Sequence, residues 1–339
     1  MLEESDGKKN IIRIKEANAK ELIIQLQEQI GGTFEKQKYV FNTSFAKGYI
    51  RYYKLTEGIE ITINSITSLE DHDVYFEGNT NDRNSICVRF TRSGELLTKG
   101  KYDHRPNLTL DNGSIIYDTK LSNNSSIKKG ELNQWVAVRL AESVIDHDNS
   151  FFKELFGDIF NIPKYWFQYD TTPLEIHAIL NDIFALDHTL KPPIFNLKLL
   201  SKTSEAMSIF FDRLLHRDEI LPANNIHPND LVHLMNIKDE LLSNLEEVKS
   251  LNEFADKYGF SISKLRRDFT QVFGTTIHRF HQNYRLEKAK ILLTTTNKSI
   301  TEISRTCGYK SGAKFSEYFK KKNGITPKEL SKRYKPSVV

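Results

Sequence analysis

Ser263, Lys264, Arg266 and Arg267 crowd the start of a segment whose apolar residues Leu265, Phe269 and Val272 recur at helical spacing. Such side chains at one exposed helix end suit hydrogen bonding to base-pair edges. An arginine fork meets both major-groove acceptors of guanine, and a serine hydroxyl bonds to several bases. A second set stands about fifty residues further on, where Gly312, Ala313, Lys314, Ser316 and Glu317 surround Phe315 and Phe319. Gly312 and Ala313 permit close approach, and the Glu317 carboxylate suits the amino group of cytosine. These two sets are the expected base-contacting residues. Ser261, Lys310, Ser311, Lys320 and Lys321 are expected on phosphate, which positions a protein without reading sequence.

The elements that must hold these sets repeat. Leu251, Phe254, Ala255, Tyr258, Gly259, Phe260, Leu265 and Phe269 recur as Ile300, Ile303, Ser304, Cys307, Gly308, Tyr309, Phe315 and Phe319. The offset is 49 residues through the glycine and 50 in the second helix, so the second turn holds one extra residue. Each copy reads as helix, tight turn, helix. Gly259 supplies the left-handed conformation the turn needs, and Ser261 is a good N-cap for the second helix. Ser299 with Glu302 spells a capping box, while Gly324 and Pro327 stop the last reading helix. Between the copies, Phe280, Tyr284, Leu286, Ala289 and Leu293 give Ile277–Leu293 the stripe of one continuous helix. Two such units can enter successive major grooves on one duplex face, which recur every roughly 34–36 Å.

Charge follows the same division. The 339-residue chain carries a net +4, yet residues 249–339 hold 20 Lys+Arg against 7 Asp+Glu, leaving the remainder at −9. A basic module on an acidic body suits one part on phosphate and one in solvent. Hydrophobic residues make up 39% and charged residues 27%, which argues for packed domains over wholesale disorder. Met1–Asn10 is polar, and no apolar run approaches the ~20 residues that span a bilayer. Cys87 and Cys307 stand one in each half, so reduced, buried thiols are expected rather than a disulfide framework. A cytoplasmic protein without membrane contact is the expectation.

Upstream of the basic module, residues 15–30 suggest an amphipathic helix ended by Gly31 and Gly32. Short strands follow at Gly48–Leu55, Glu60–Thr67, Asp73–Phe76, Ser85–Thr91, Ser114–Asp118 and Gln134–Leu140, separated by turn formers. They predict a small β-sandwich or barrel. Helical spacing then covers Phe151–Phe160, Leu174–His188, Ile194–His216 and Pro228–Leu245. The expected organisation is an N-terminal arm and helix (1–35), a strand-rich domain (36–145), a helical linker or dimerisation region (146–226) and the basic module (227–336). Trp135, Tyr75 and Phe90 are candidates for a ligand pocket or for core.

The segment Ser250–Tyr334 resembles the double helix–turn–helix domain of the AraC/XylS family of transcription regulators. The resemblance is carried by Gly259-Phe260-Ser261, Leu265-Arg266-Arg267 with Phe269, Phe273-Gly274, Arg285-Leu286 with Ala289, Leu292-Leu293, Ile300 with Ile303, Cys307-Gly308-Tyr309, Phe315 with Phe319-Lys320, and Gly324 with Pro327. It implies an α+β multidomain chain: a cupin-like β-barrel sensor, helices that link or dimerise, and the all-α reading module. The stretch Phe195–Phe211 has the texture of the family's siderophore-responsive branch. Gly312-Ala313 and Glu317 depart from the family pattern, so base reading is expected to rest more on Arg266 and Arg267. The expected partners are double-stranded DNA, RNA polymerase, a small-molecule effector of unidentified kind and a second copy of the chain. No catalytic residue, cofactor or metal is expected. His72, His104, His147, His177 and His188 are scattered without a His-x-His pair, and His278 with His281 reads as a solvated or phosphate-proximal face. Two alternatives stay open at this point. One is a regulator controlled by a partner protein or by abundance, and the other a cupin metalloenzyme with a DNA-binding appendage.

Overall fold

The computed structural model describes residues 10–78, 85–93, 113–144, 167–216, 226, 228–246 and 249–334. The strands among them are β1 (Asn10–Lys15), β2 (Thr33–Glu35), β3 (Lys38–Asn42), β4 (Ala46–Thr56), β5 (Ile59–Ser68), β6 (His72–Glu77), β7 (Ser85–Ser93), β8 (Ser114–Asp118), β9 (Asn123–Ile127), β10 (Leu132–Ala141) and β11 (Phe167–Asp170). Eight of them form one sheet in the order β11-β8-β7-β10-β5-β4-β3-β2, antiparallel throughout. The other three form a small sheet, β1-β6-β9, in which β1 runs parallel to β6.

Both faces of the large sheet are covered. Ile59, Ile61 and Ile63 of β5, Val136, Val138 and Leu140 of β10, and Ile86, Val88 and Phe90 of β7 form one face. They pack against α2 (Leu174–Phe184) and α3 (Pro192–Leu215) through Ile176, Leu180, Leu199 and Phe210. Burying each such side chain contributes about 1.5–3 kcal/mol. A one-residue slip would turn the whole set outward, so this face pins the register. On the opposite face, Asn133, Trp135, Ala137 and Arg139 lie beside Ile66, Asn64, Thr62 and Glu60. The small sheet and α1 (Ala19–Ile30) cover that side through Ile12, Ile14, Leu22, Ile23 and Val74.

The expected closed barrel does not form among the described residues. β2 and β11 end the strand order and share no ladder. Separate layers already bury each face, so the sheet stays open. The N-terminal helix also differs from expectation: residues 10–15 are strand, and the helix begins at Ala19, capped by the Asn18 side chain. The helix expected to reach His188 ends at Phe184. The helix expected over Phe151–Phe160 lies outside the described residues. The stretch read as a linker gives β11 to the sheet edge and packs α2 and α3 onto the sheet. Of the three candidate pocket aromatics, Trp135 lines a cavity under α1, Phe90 packs edge-on against Phe210, and Tyr75 lies beneath Arg13.

The described residues from 228 onward form helices: α4 (Pro228–Ser243), α5 (Leu251–Tyr258), α6 (Ile262–Phe273), α7 (Ile277–Thr295), α8 (Ile300–Thr306), α9 (Gly312–Asn323) and α10 (Pro327–Tyr334). The first half of this stretch shares one continuous apolar cluster with the sheet. The Tyr169 ring of β11 meets Phe273 at 5.9 Å and Phe280 at 6.0 Å. The buried Lys238 ammonium of α4 sits 5.0 Å over the same ring. Beside it, Arg213 of α3 donates to Asp170 at 2.6 Å.

Candidate DNA interface

Ser250 begins the first unit with a capping box: its hydroxyl accepts from the Glu253 N–H, and Glu253 accepts from the Ser250 N–H. The box was not foreseen, although Ser-x-x-Glu is legible at those positions. Gly259 then turns the chain in the left-handed region at φ 72°, and the Ser261 hydroxyl accepts from the Lys264 N–H to start α6. Leu265, Phe269 and Val272 are fully buried, as their spacing predicts. α4 braces this unit from behind through Leu234, Ile237 and Leu241. Glu240 of α4 receives Lys249 at 2.8 Å, the Tyr258 hydroxyl at 2.5 Å, and Lys257. Burial pushes the Glu240 carboxyl upward, but these donors prevail and bring it down to about 2.

Ser263, Arg266 and Arg267 are exposed along the outer face of α6. Lys264 is not equivalent to them. Its ammonium is half-buried, 2.5 Å from Asp230 and 3.2 Å from Asp268. A base contact from Lys264 would first have to break both pairs. Arg267 also touches Asp268, at 2.8 Å, while keeping 68% of its side chain exposed. The buried Asp268 therefore organises the reading face from beneath. Sequence reasoning missed it, though an acid four residues after Lys264 was a visible signal.

The second unit repeats the plan. Ser299 and Glu302 form the expected capping box. Gly308 has φ 75°, and a Cβ there would stand 2.0 Å from the Leu245 carbonyl oxygen, so the turn requires glycine twice over. Arg285 of α7 donates from Nε to the Cys307 carbonyl at 2.6 Å and lies 3.8 Å over the Tyr309 ring. Burial raises the Cys307 thiol to about 11, which suits a packed thiol and not a reactive one. The Ser311 hydroxyl caps α9 by accepting from the Lys314 N–H, and Phe315 and Phe319 are fully buried. Ala313, Lys314 and Glu317 are exposed; Gly312 and Ser316 are half-buried, with the Ser316 hydroxyl donating to the Gly312 carbonyl at 2.8 Å. Lys310, Lys320 and Lys321 are exposed.

α7 joins the units by belonging to both cores. Ile277 and Phe280 pack with the first, and Leu286, Ala289 and Leu293 with the second. Its 19 residues span about 28 Å at 1.5 Å each. His281 departs from the expected solvated face: it is 1% exposed, because α7 turns it inward while His278 stays outside. Burial, then Arg285, lower its imidazole to about 4.

Residues 254–333 match the family model described as a helix-turn-helix domain. They form an AraC-type DNA-binding domain. The xylose operon regulatory protein of Escherichia coli K12 is 43% identical over 79 residues, 23% of this chain and 20% of the relative. An uncharacterised helix-turn-helix-type transcriptional regulator of Staphylococcus aureus is 30% identical over 163 residues, 47% of this chain. Each alignment thus spans about a fifth of the relative's own length. Among solved structures, a transcriptional regulator with an AraC-type DNA-binding domain from Chromobacterium violaceum is 31% identical. The match covers 32% of this chain and 96% of that one, with a TM-score of 0.29. The residues matched by the family model lie in the basic C-terminal part, and the sheet lies outside them. Among the described residues, no helix is long and apolar enough to cross a membrane.

Proposed function

We propose that the chain is a sequence-specific transcription regulator whose α6 and α9 enter successive major grooves of one DNA duplex. The observation that carries this reading is the pair of separately capped helices. Each buries an apolar stripe and leaves its polar residues facing solvent, with Arg266 and Arg267 on one and Lys314 and Glu317 on the other. Arg266, Arg267 and Ser263 read bases in the first groove. Lys264 joins them only if its carboxylate pairs open, and Gly312, Ala313, Lys314, Ser316 and Glu317 face the second. Ser261, Lys310, Ser311, Lys320 and Lys321 meet phosphate. In this reading the sheet half senses a small molecule, and the regulator acts in the cytoplasm, on RNA polymerase and as a homodimer. Two bound copies would double the contacts on paired half-sites.

The siderophore-responsive likeness gains no support from Phe195–Phe211, since Phe195, Phe210 and Phe211 are already used as core beneath the sheet. Selection of bound duplexes from a random pool, followed by footprinting, tests the main reading. Two protected major-groove patches one helical turn apart are expected. Protection of a single groove, or recovery of no preferred sequence, would overturn it.

A further inference from the structure

Between the large sheet and α1 lies a cavity of about 130 Å³. Its walls are mostly apolar, with Ile14, Leu22, Phe41, Ile50 and Val74 among them. Its floor is the face of the sheet that carries Asn64, Asn133, Arg89 and Arg139. Both guanidinium groups there are already engaged. Arg139 is paired to the buried Glu16, and Arg89 lies 4.3 Å over the Trp135 ring and has a further interaction of its own. The two asparagines differ. Asn64 is 3% exposed, and its Nδ2 donates to the Thr62 hydroxyl at 3.0 Å and to the Trp135 carbonyl at 3.3 Å. Asn133 is 2% exposed, and its Nδ2 has no hydrogen-bond partner among the described residues.

A buried amide donor left unmade is costly, and Asn64 shows how such a group is satisfied on this floor. An amide N–H carries no net charge, and the engaged arginines set no demand for one. What Asn133 lacks is an oxygen acceptor. The apolar walls favour an apolar body. They would leave the several hydroxyls of a sugar without partners, at a cost for each, and would strip the hydration from an ion. Size narrows the choice: a dry cavity of about 150 Å³ holds one benzene, close to the volume here. We propose that this cavity binds a neutral molecule with a compact apolar body, about six to nine non-hydrogen atoms in all, and a single carbonyl or hydroxyl oxygen. That oxygen accepts from Asn133 Nδ2. The inference rests on reading the sheet half as the sensing half, and it names the chemical class that is sensed.

The test uses the full chain, with cyclohexanone, benzyl alcohol, toluene, cyclohexanecarboxylate and cyclohexylamine as probes, read by calorimetry and thermal shift. The ketone or the alcohol is expected to bind saturably at millimolar concentration or below, and neither ion to bind. Asn133→Leu keeps the branched shape and removes the donor. It should weaken the ketone or alcohol about tenfold, whereas toluene, which asks nothing of the amide, either fails to bind the parent or loses nothing in the variant. Ala137→Leu, which fills the cavity from its floor, should abolish binding of every probe; if that variant does not fold, Asn133→Leu carries the test. Binding of either ion as tight as that of the ketone and alcohol, an equal loss of oxygen-bearing probe and toluene in Asn133→Leu, no saturable binding, or binding indifferent to Ala137→Leu would overturn the proposal. DNA selection on the same preparation separates the two readings. Selected duplexes without binding of ketone or alcohol sink this inference alone, and such binding without a preferred duplex sinks the regulator reading alone.

Discussion

At the scale of single side chains, the reading face divides into residues held by partners and residues left to DNA. Asp268 fixes Lys264 and touches Arg267, while Arg266 projects into solvent. Replacing Arg266 by Ala should therefore cost about 1–3 kcal/mol on the selected duplex and relax base preference at one position. Lys264→Ala should cost less on DNA, because its ammonium is committed to Asp230 and Asp268. Binding measured on selected and scrambled duplexes checks the pair, and a larger loss from Lys264 would reverse this assignment. Lys320→Ala should weaken all duplexes alike and lower the salt slope by about 0.9, the value of one phosphate no longer neutralised. A salt titration of binding would show an unchanged slope if the lysine never meets phosphate.

At the scale of elements, each turn is set by one glycine in the left-handed region, and the two are constrained to different degrees. Gly308→Ala combines a left-handed φ with a Cβ driven into the Leu245 carbonyl. Gly259→Ala meets only the φ penalty, since a Cβ there has open space. Gly308→Ala should thus lower the melting temperature clearly more than Gly259→Ala does, as calorimetry would show; equal losses would mean the close approach relaxes at no cost. α7 carries a pH response as well. His281 has a folded-state value of about 4, below its ordinary 6.5, so the protein binds that proton more readily when unfolded. Its share of stability is present above pH 6.5 and is lost as pH falls towards 4. His281→Leu should flatten stability across that window in denaturant titrations. An identical pH slope in parent and variant would remove His281 from the account. The Glu240 cluster titrates lower, between the ordinary carboxyl value of 4.5 and about 2.

At the scale of the whole molecule, the sheet and the first reading unit share a core through Tyr169, Phe273 and Phe280. Tyr117 lines the cavity and pairs across β8 and β11 with Phe167, two residues before Tyr169. Packed side chains therefore connect the cavity wall to the back of α6. Removing a large buried aromatic costs about 3–5 kcal/mol, so Tyr169→Ala should loosen this junction more than either half alone. Calorimetry should show one transition separating into two, the later one persisting in a fragment of residues 225–339. A single unsplit transition would mean that other interactions couple the halves. Two units with a shared core unfold together only while the shared part is intact.

Much was legible from the chain alone in its last ninety residues, because each requirement there is local. A serine before a helix, a glutamate three residues on, a glycine at a turn and a phenylalanine every fourth position act over a few ångströms and leave a fixed spacing. Six of the eleven described strands, β4 to β8 and β10, were readable from their β-branched and aromatic runs between turn formers, whereas β1, β2, β3, β9 and β11 were not. Which edges meet was not, since an open sheet and a closed barrel ask the same alternation of each strand. Only the packing of α2 and α3 on one face, and of α1 with the small sheet on the other, decided for the open form. The same holds for His281 turned inward, and for Arg89 with Asn133 on the floor of the cavity beneath α1. Their neighbours come from distant parts of the chain, and no local pattern records an approach made across the fold.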